Sequence, residues 1–278
     1  MSSPISGIDH PILWVSDVEQ AAAAYRRLGF TLSQFYVHPK AVGTANYNMM
    51  FESDYLEILV SVEDNPRNAA RRARLAAEGD GLKDMGLRAM DADAAFATVT
   101  AAGLAPLPVF DHHRPEGDDT ARFRIIYLPP DRLLPGLGFH VIEHRTPELV
   151  WRNAPAHANG ARGVAGLVLA ADDPAAIAAP YARVFGVAPT RDGGGVVGVA
   201  TGRSRLRVAS RAQIAELFPG IRFKPEPPFV AALELFVDDL AKTEAFIAGA
   251  GVPHRKASDG AIEIPPEEAC GVVLRFVT

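Results

Sequence analysis

The chain has 278 residues, 48% hydrophobic and 22% charged, a balance that suits a folded globular protein and excludes disordered and fibrous classes. A formal net charge of -5 supplies no basic field, so nucleic acid is not an expected partner. A single cysteine, Cys270, excludes an intramolecular disulfide framework. With no basic and apolar leader and no bilayer-length apolar run, it makes a cytoplasmic location away from membranes the expectation.

From Ile8 the sequence reads "IDHPILWVSDVEQAAAAYRRLGF". A short apolar run suits a strand, Asp17 suits a helix N-cap, an Ala-rich stretch suits the helix, and Gly29 suits the left-handed position that ends it. Two β-type runs follow, "HPKAVGTANYNMMF" and "YLEILVSV". The arginine-dense "RNAARRARLAAEGDG" from Arg67 reads as a polar, solvated helix leading to the next unit. The same grammar returns from Leu82 with Asp91 and Gly103, from Val164 with Asp173 and Gly186, and from Val230 with Asp239 and Gly251. These units close on "FHVIEHR", "RLRVAS" and "VVLRFV". The Asp-to-Gly separations are 12, 12, 13 and 12 positions, about three helical turns each.

The spacing therefore predicts an α+β fold of four βαβββ modules, with strands opening near Ile8, Met85, Val164 and Val230. One such sheet leaves an apolar face uncovered, so the modules are expected to pair into two curled mixed β-sheets. The Pro, Gly and Asn of "RNAPAHANGARG" place the boundary at about residues 152 to 163, between halves spanning 1–152 and 163–278.

The repeat, the "DH" in the first apolar run and the "YLEIL" closing module one resemble the vicinal oxygen chelate superfamily, which has the glyoxalase/bleomycin resistance/extradiol dioxygenase fold. "GTANYNMMF", "HRTPELVW" and "HANGA" resemble a glyoxalase-like branch of it. In that superfamily the first and last strands of a module each supply a metal ligand, and paired modules complete the site. The resemblance implies His10 and Glu57 as ligands, with Glu57 also in a catalytic role. His140 and His144 in the last strand of module two have the same parity, with Glu143 pointing away. His144 is taken as the third ligand because it opens "HRTPELVW", and His140 as substrate-binding; Asp84, seven before Asp91 as His10 is seven before Asp17, is a further candidate.

Thr44, Asn46 and Asn48 share parity and are expected to line the substrate pocket, near His38. His112 and His113 fall in a turn-rich, solvated stretch, and His157 and Asn159 suit either a site or a cap. In the second half, Gly166 and Ala232 stand where His10 and Asp84 stand in the first, so chemistry is assigned to modules one and two. A His/Glu/His set suits Fe, Mn, Ni or Zn as divalent cofactor, acting as Lewis acid on a small substrate with vicinal oxygens. A lyase, an isomerase and a ring-cleaving dioxygenase all fit, in a monomer or a homodimer. The alternative is a metal-free sequestering protein of the bleomycin-resistance type. Glyoxalase I activity fits less well, since that family uses two glutamates.

Overall fold

The computed structural model describes residues 3–129, 134–152, 154–192 and 194–278. Acidic caps and glycine stops divide them into four like units. Module one comprises β1 (Ile5–Trp14), α1 (Val18–Arg27), β2 (Tyr36–Val37), β3 (Thr44–Met50) and β4 (Tyr55–Ser61). Helix α2 (Pro66–Glu78) leads to β5 (Gly81–Ala89), α3 (Ala92–Ala101), β6 (Phe110–Glu116), β7 (Asp119–Tyr127) and β8 (Gly138–His144). After a single turn, α4 (Pro147–Val150), come β9 (Ala161–Ala170), α5 (Pro174–Phe185), β10 (Thr190–Arg191), β11 (Val197–Thr201) and β12 (Ser204–Ala209). Helix α6 (Arg211–Leu217) then precedes β13 (Phe229–Val237), α7 (Leu240–Gly249), β14 (Arg255–Lys256), β15 (Ile262–Ile264) and β16 (Val273–Val277).

The grammar read from the sequence is thus the grammar of the fold, and each opening strand begins one to four residues ahead of its expected start. Asp17, Asp91, Asp173 and Asp239 all cap their helices, each carboxylate accepting from one or two free N–H groups of the first turn. Gly29 (φ 89°) and Gly186 (φ 65°) take the left-handed conformation that ends α1 and α5 and turns the chain back to the sheet.

The strands form two eight-stranded mixed sheets of identical design, β2-β3-β4-β1-β5-β8-β7-β6 and β10-β11-β12-β9-β13-β16-β15-β14. In each, the opening strands of two modules run antiparallel at the centre, and the closing strand of each module lies parallel beside its own opening strand. One continuous apolar core, with Leu13, Ile58 and Met85 from the first sheet and Leu167, Leu233 and Phe276 from the second, joins the halves. Tyr25 of α1 donates to the Ala269 carbonyl and Tyr181 of α5 to that of Leu137, so helices of each half reach into the other. Among the described residues no helix is long and apolar enough to cross a membrane.

The segment between the sheets is tied down by the residues that suited either a site or a cap. His157 Nδ1 accepts from Thr31 N at 3.0 Å. Asn159 donates to Leu28 O at 2.8 Å and accepts from Ala161 N at 2.9 Å. Both serve the end of α1 and the start of β9.

Candidate functional site

The site begins with an irregularity in β1. Ile8 pairs with Leu87 and His10 with Gly86, so Asp9 is an extra residue, a bulge of the kind that re-aims neighbouring side chains. His10 Nδ1 donates to Asp9 Oδ1 at 2.8 Å, which leaves Nε2 facing the concave side of the sheet. The His10 ring stacks on Tyr55 at 4.3 Å and occupies the space above Gly86, where a Cβ would fall 2.2 Å from it. Burial alone would raise the Asp9 carboxyl; His144 and His10 overcome that and hold it well below the usual carboxylate range. Asp9 is thus an anion that orients His10.

Three strands bring further groups to the same place. Glu57 of β4 is opposite Ile12, two residues along from His10, and its Oε2 is 3.7 Å from His10 Nε2. Asn46 of β3 donates to Glu57 Oε1 at 2.5 Å, so the carboxylate is fixed from behind. His140 of β8 is opposite Gly86, and its ring centre is 5.2 Å from that of His10. Burial lowers His140 to about 3, and His10 adds to the effect, so its imidazole is neutral at neutral pH. Asp84 of β5 lines the same cavity, and burial pushes its carboxyl up to about 6.

These four positions are related by the internal repeat. Gly86 lies two residues beyond Asp84 as Ile12 lies two beyond His10, and their parallel partners are His140 and Glu57. His10 therefore matches Asp84, and Glu57 matches His140. His144 does not join them. It shares the face of His140, but four strand residues amount to about 13 Å, and the shift carries His144 to Asp9 Oδ2, 2.9 Å from its Nε2, under Trp151.

The cavity holds about 440 Å³. Thr44, Asn46 and Asn48 all line it, as their parity predicts, and His38 is held there by Thr44 Oγ1 at 2.9 Å. Two regions expected to be solvated turn inward. His112 belongs to the β6–β7 hairpin and faces the cavity, while His113 faces the other side. Helix α2 lies across the cavity mouth with Arg67, Arg71 and Arg74 directed into it, because Trp14, Leu59 and Tyr127 offer aromatic and apolar surface that guanidinium stems cover. The sequence showed the helix but not that its arginine face is a wall.

Buried polar atoms without partners gather here. Trp14 Nε1, Asn46 Oδ1, Asn48 Oδ1, Arg71 Nε and Arg114 Nε all line the cavity and have no hydrogen-bond partner among the described residues. Such atoms are uncommon in native interiors and mark a place where a ligand completes the network.

A concave face with His, Glu and His on closing and opening strands of paired βαβββ modules defines the vicinal oxygen chelate class. The model of the glyoxalase-like domain matches residues 8–185, and the chain belongs to that family. A comparison with curated proteins finds no match. Among solved structures, a hypothetical protein from Staphylococcus aureus aligns over 97% of this chain and 98% of its own at 9% identity, with a TM-score of 0.66. A mutant 4-hydroxymandelate synthase from Streptomyces coelicolor aligns over 99% and 92% at 13% identity, TM-score 0.64. A fusion of a xylose isomerase-like TIM barrel with 4-hydroxyphenylpyruvate dioxygenase aligns over 99% of this chain and 49% of its own at 15% identity, TM-score 0.59. At such identities these likenesses speak for the fold.

Proposed function

We propose that the first-half cavity is the active site of a metal-dependent enzyme acting on a small molecule with adjacent oxygens, and that His10, Glu57 and His140 hold the divalent ion. The observation that carries this reading is the 3.7 Å approach of His10 Nε2 to Glu57 Oε2, beside a neutral His140 and the unpartnered polar atoms of the wall. The donor set, two imidazoles and a carboxylate, suits Fe, Mn, Ni or Zn. When bound, the ion supplies Lewis-acid stabilisation of charge developing on the substrate oxygens.

The residues prepare that chemistry. Asp9 fixes the His10 tautomer with the proton on Nδ1, so that Nε2 presents its lone pair, an arrangement typical of metal-binding histidines. Asn46 holds Oε1 of Glu57 and leaves Oε2 toward His10. Asp84 stands at the repeat-related position of His10 and would add a fourth donor, an oxygen. Trp14, Phe123, Ile125 and Leu59 give the chamber apolar wall between these polar groups. Lyase, isomerase and ring-cleaving dioxygenase chemistry are all candidates on this site, and the fold is shared with a 4-hydroxyphenylpyruvate dioxygenase fusion.

One observation favours a second reading. Among the described residues no three His, Cys, Asp or Glu side chains form a ready metal cluster, which suits a metal-free binding protein of the bleomycin-resistance type. Co(II) titration followed by visible absorption separates the two. The enzyme reading expects one bound ion whose spectrum is changed by His140→Gln and changed much less by His144→Gln, which reaches the site only through Asp9. Absence of Co(II) uptake by the wild-type chain would contradict it.

A further inference from the structure

The wall opposite the imidazoles carries two arginines that form no ion pair with a carboxylate among the described residues. Arg67 and Arg71 are one helical turn apart on the cavity face of α2. The arginines around them have carboxylate partners: Arg72, on the outer face, pairs with Asp64, Arg74 with Glu78, and Arg114 with Glu116. Among the described residues Arg67 and Arg71 have none. The one side-chain hydrogen bond of Arg71 goes to a neutral amide, Asn68 Oδ1 at 2.9 Å, and its Nε is buried and unpartnered. Burial and the neighbouring Arg67 work against its charge, and Asp84 and Glu57 across the cavity offset this only in part, so it stays below the usual guanidinium range. A guanidinium desolvated beside a second one, as Arg71 is beside Arg67, costs stability unless an anion completes the site.

We propose that Arg67 and Arg71 form an oxyanion-binding subsite, so that the substrate carries a carboxylate or phosphate at one end and its reacting oxygens at the other. The proposal rests on the reading of this cavity as the substrate site. Its geometry also bounds the substrate. Arg67 lies 4.7 Å over the Tyr127 ring, and that ring lies 5.6 Å from His140. A single aromatic side chain therefore separates the anion subsite from the imidazole cluster, and the two ends of the substrate are only a few bonds apart. Forked guanidiniums suit oxyanions because they present paired donors in the plane of the acceptor. The net charge of the whole chain, -5, gives no general attraction for anions, so selectivity must be local.

The test uses the full chain, kept in chelator, with calorimetric titration of benzoate, phenyl phosphate and neutral benzamide. The expected result is saturable binding of benzoate or phenyl phosphate and much weaker binding of benzamide. Arg67→Gln and Arg71→Gln should each weaken anion binding roughly tenfold or more, and Arg72→Gln on the outer face should leave it unchanged. Whichever anion binds more tightly identifies the oxyanion. Thermal midpoints of the variants guard against misfolding, and Arg71→Lys, which keeps the charge, should retain part of the affinity. Equal binding of benzamide and benzoate would overturn the proposal, as would anion binding that survives in a folded Arg67→Gln/Arg71→Gln double variant or falls equally in Arg72→Gln. The metal reading fails separately, by a wild-type chain that binds benzoate yet takes up no divalent ion.

Discussion

The two sheets share one topology and treat their concave faces in opposite ways. In the first half the repeat-related positions hold His10, Glu57, Asp84 and His140 around an open cavity. In the second half the same register holds Gly166, Arg207, Ala232 and Arg275. Glu234, which stands where the first half has Gly86, extends across the face to Arg207 at 2.5 Å and Arg275 at 2.7 Å, and Arg275 Nε reaches Glu263 at 3.0 Å. Above this network Ile214 of α6, Phe218 and Phe229 fill with apolar side chains the space that α2 leaves open over the first sheet. A glycine allows an imidazole to lie on the strand; a glutamate in its place crosses the face and pairs with arginines. The same fold thus yields an open cavity lined by imidazoles and carboxylates and a closed, ion-paired support.

The largest effect that would break this comparison is in the support. Arg275→Ala removes the cation that Glu234 and Glu263 share, leaving only Arg207 to the first and Arg255 to the second, and should destabilise by up to roughly 3 kcal/mol, read by denaturant unfolding, with divalent-ion content per folded chain unchanged. A joint Arg207→Leu, Glu234→Met and Arg275→Leu replacement should recover much of that loss, because Glu234 leaves together with both of its cations and Glu263 keeps Arg255. Asp9→Asn sharpens the comparison from the other side. It keeps the shape of the bulge but weakens the hold on His10, and should lower ion affinity by roughly 10- to 100-fold, measured by competition with a chromophoric chelator. Ala232, fully buried at the position equivalent to Asp84, should tolerate no bulk. Ala232→Leu should cost roughly 1 to 3 kcal/mol by overpacking, again without effect on bound ion.

The smallest effect is a pH dependence of the ion-free protein. His140 is held at about 3 in the folded state against an ordinary 6.5, so below 6.5 the unfolded chain takes up a proton that the folded chain does not. The stability that depends on neutral His140 is present in full above pH 6.5 and is lost as pH falls toward 3. His140→Gln should therefore lose less stability than wild type between pH 7 and 5 in parallel urea unfolding. Asp84, raised to about 6, works in the opposite sense and is common to both proteins, so the difference between them reports His140.

Most of the fold was legible because its signals are local. An N-cap aspartate and a terminal glycine twelve or thirteen positions apart act within one helix, and four copies of that spacing leave little choice of module. Parity along β3 was legible for the same reason, and Thr44, Asn46 and Asn48 do face the cavity. What depended on partners across space was not. Choosing between His140 and His144 required the register of β8 on β5, which no single sequence states, although His140 is third in its strand as Glu57 is third in β4. The arginines of α2 read as solvated because their aromatic partners are distant in sequence, Trp14 lying 57 residues before Arg71 and Tyr127 60 residues after Arg67, and meet them only when the sheet curls. The bulge at Asp9 likewise depends on the pairing of β1 with β5.

The central claim is that one divalent ion is held in the first half and none in the second. Equilibrium dialysis of Mn(II) against wild type, His10→Ala and Glu57→Gln tests it most directly, with circular dichroism to confirm that each variant is folded. The account predicts one ion per wild-type chain, none in His10→Ala, and a markedly weakened site in Glu57→Gln, which keeps the shape but loses the negative charge. Full occupancy in folded His10→Ala would contradict it.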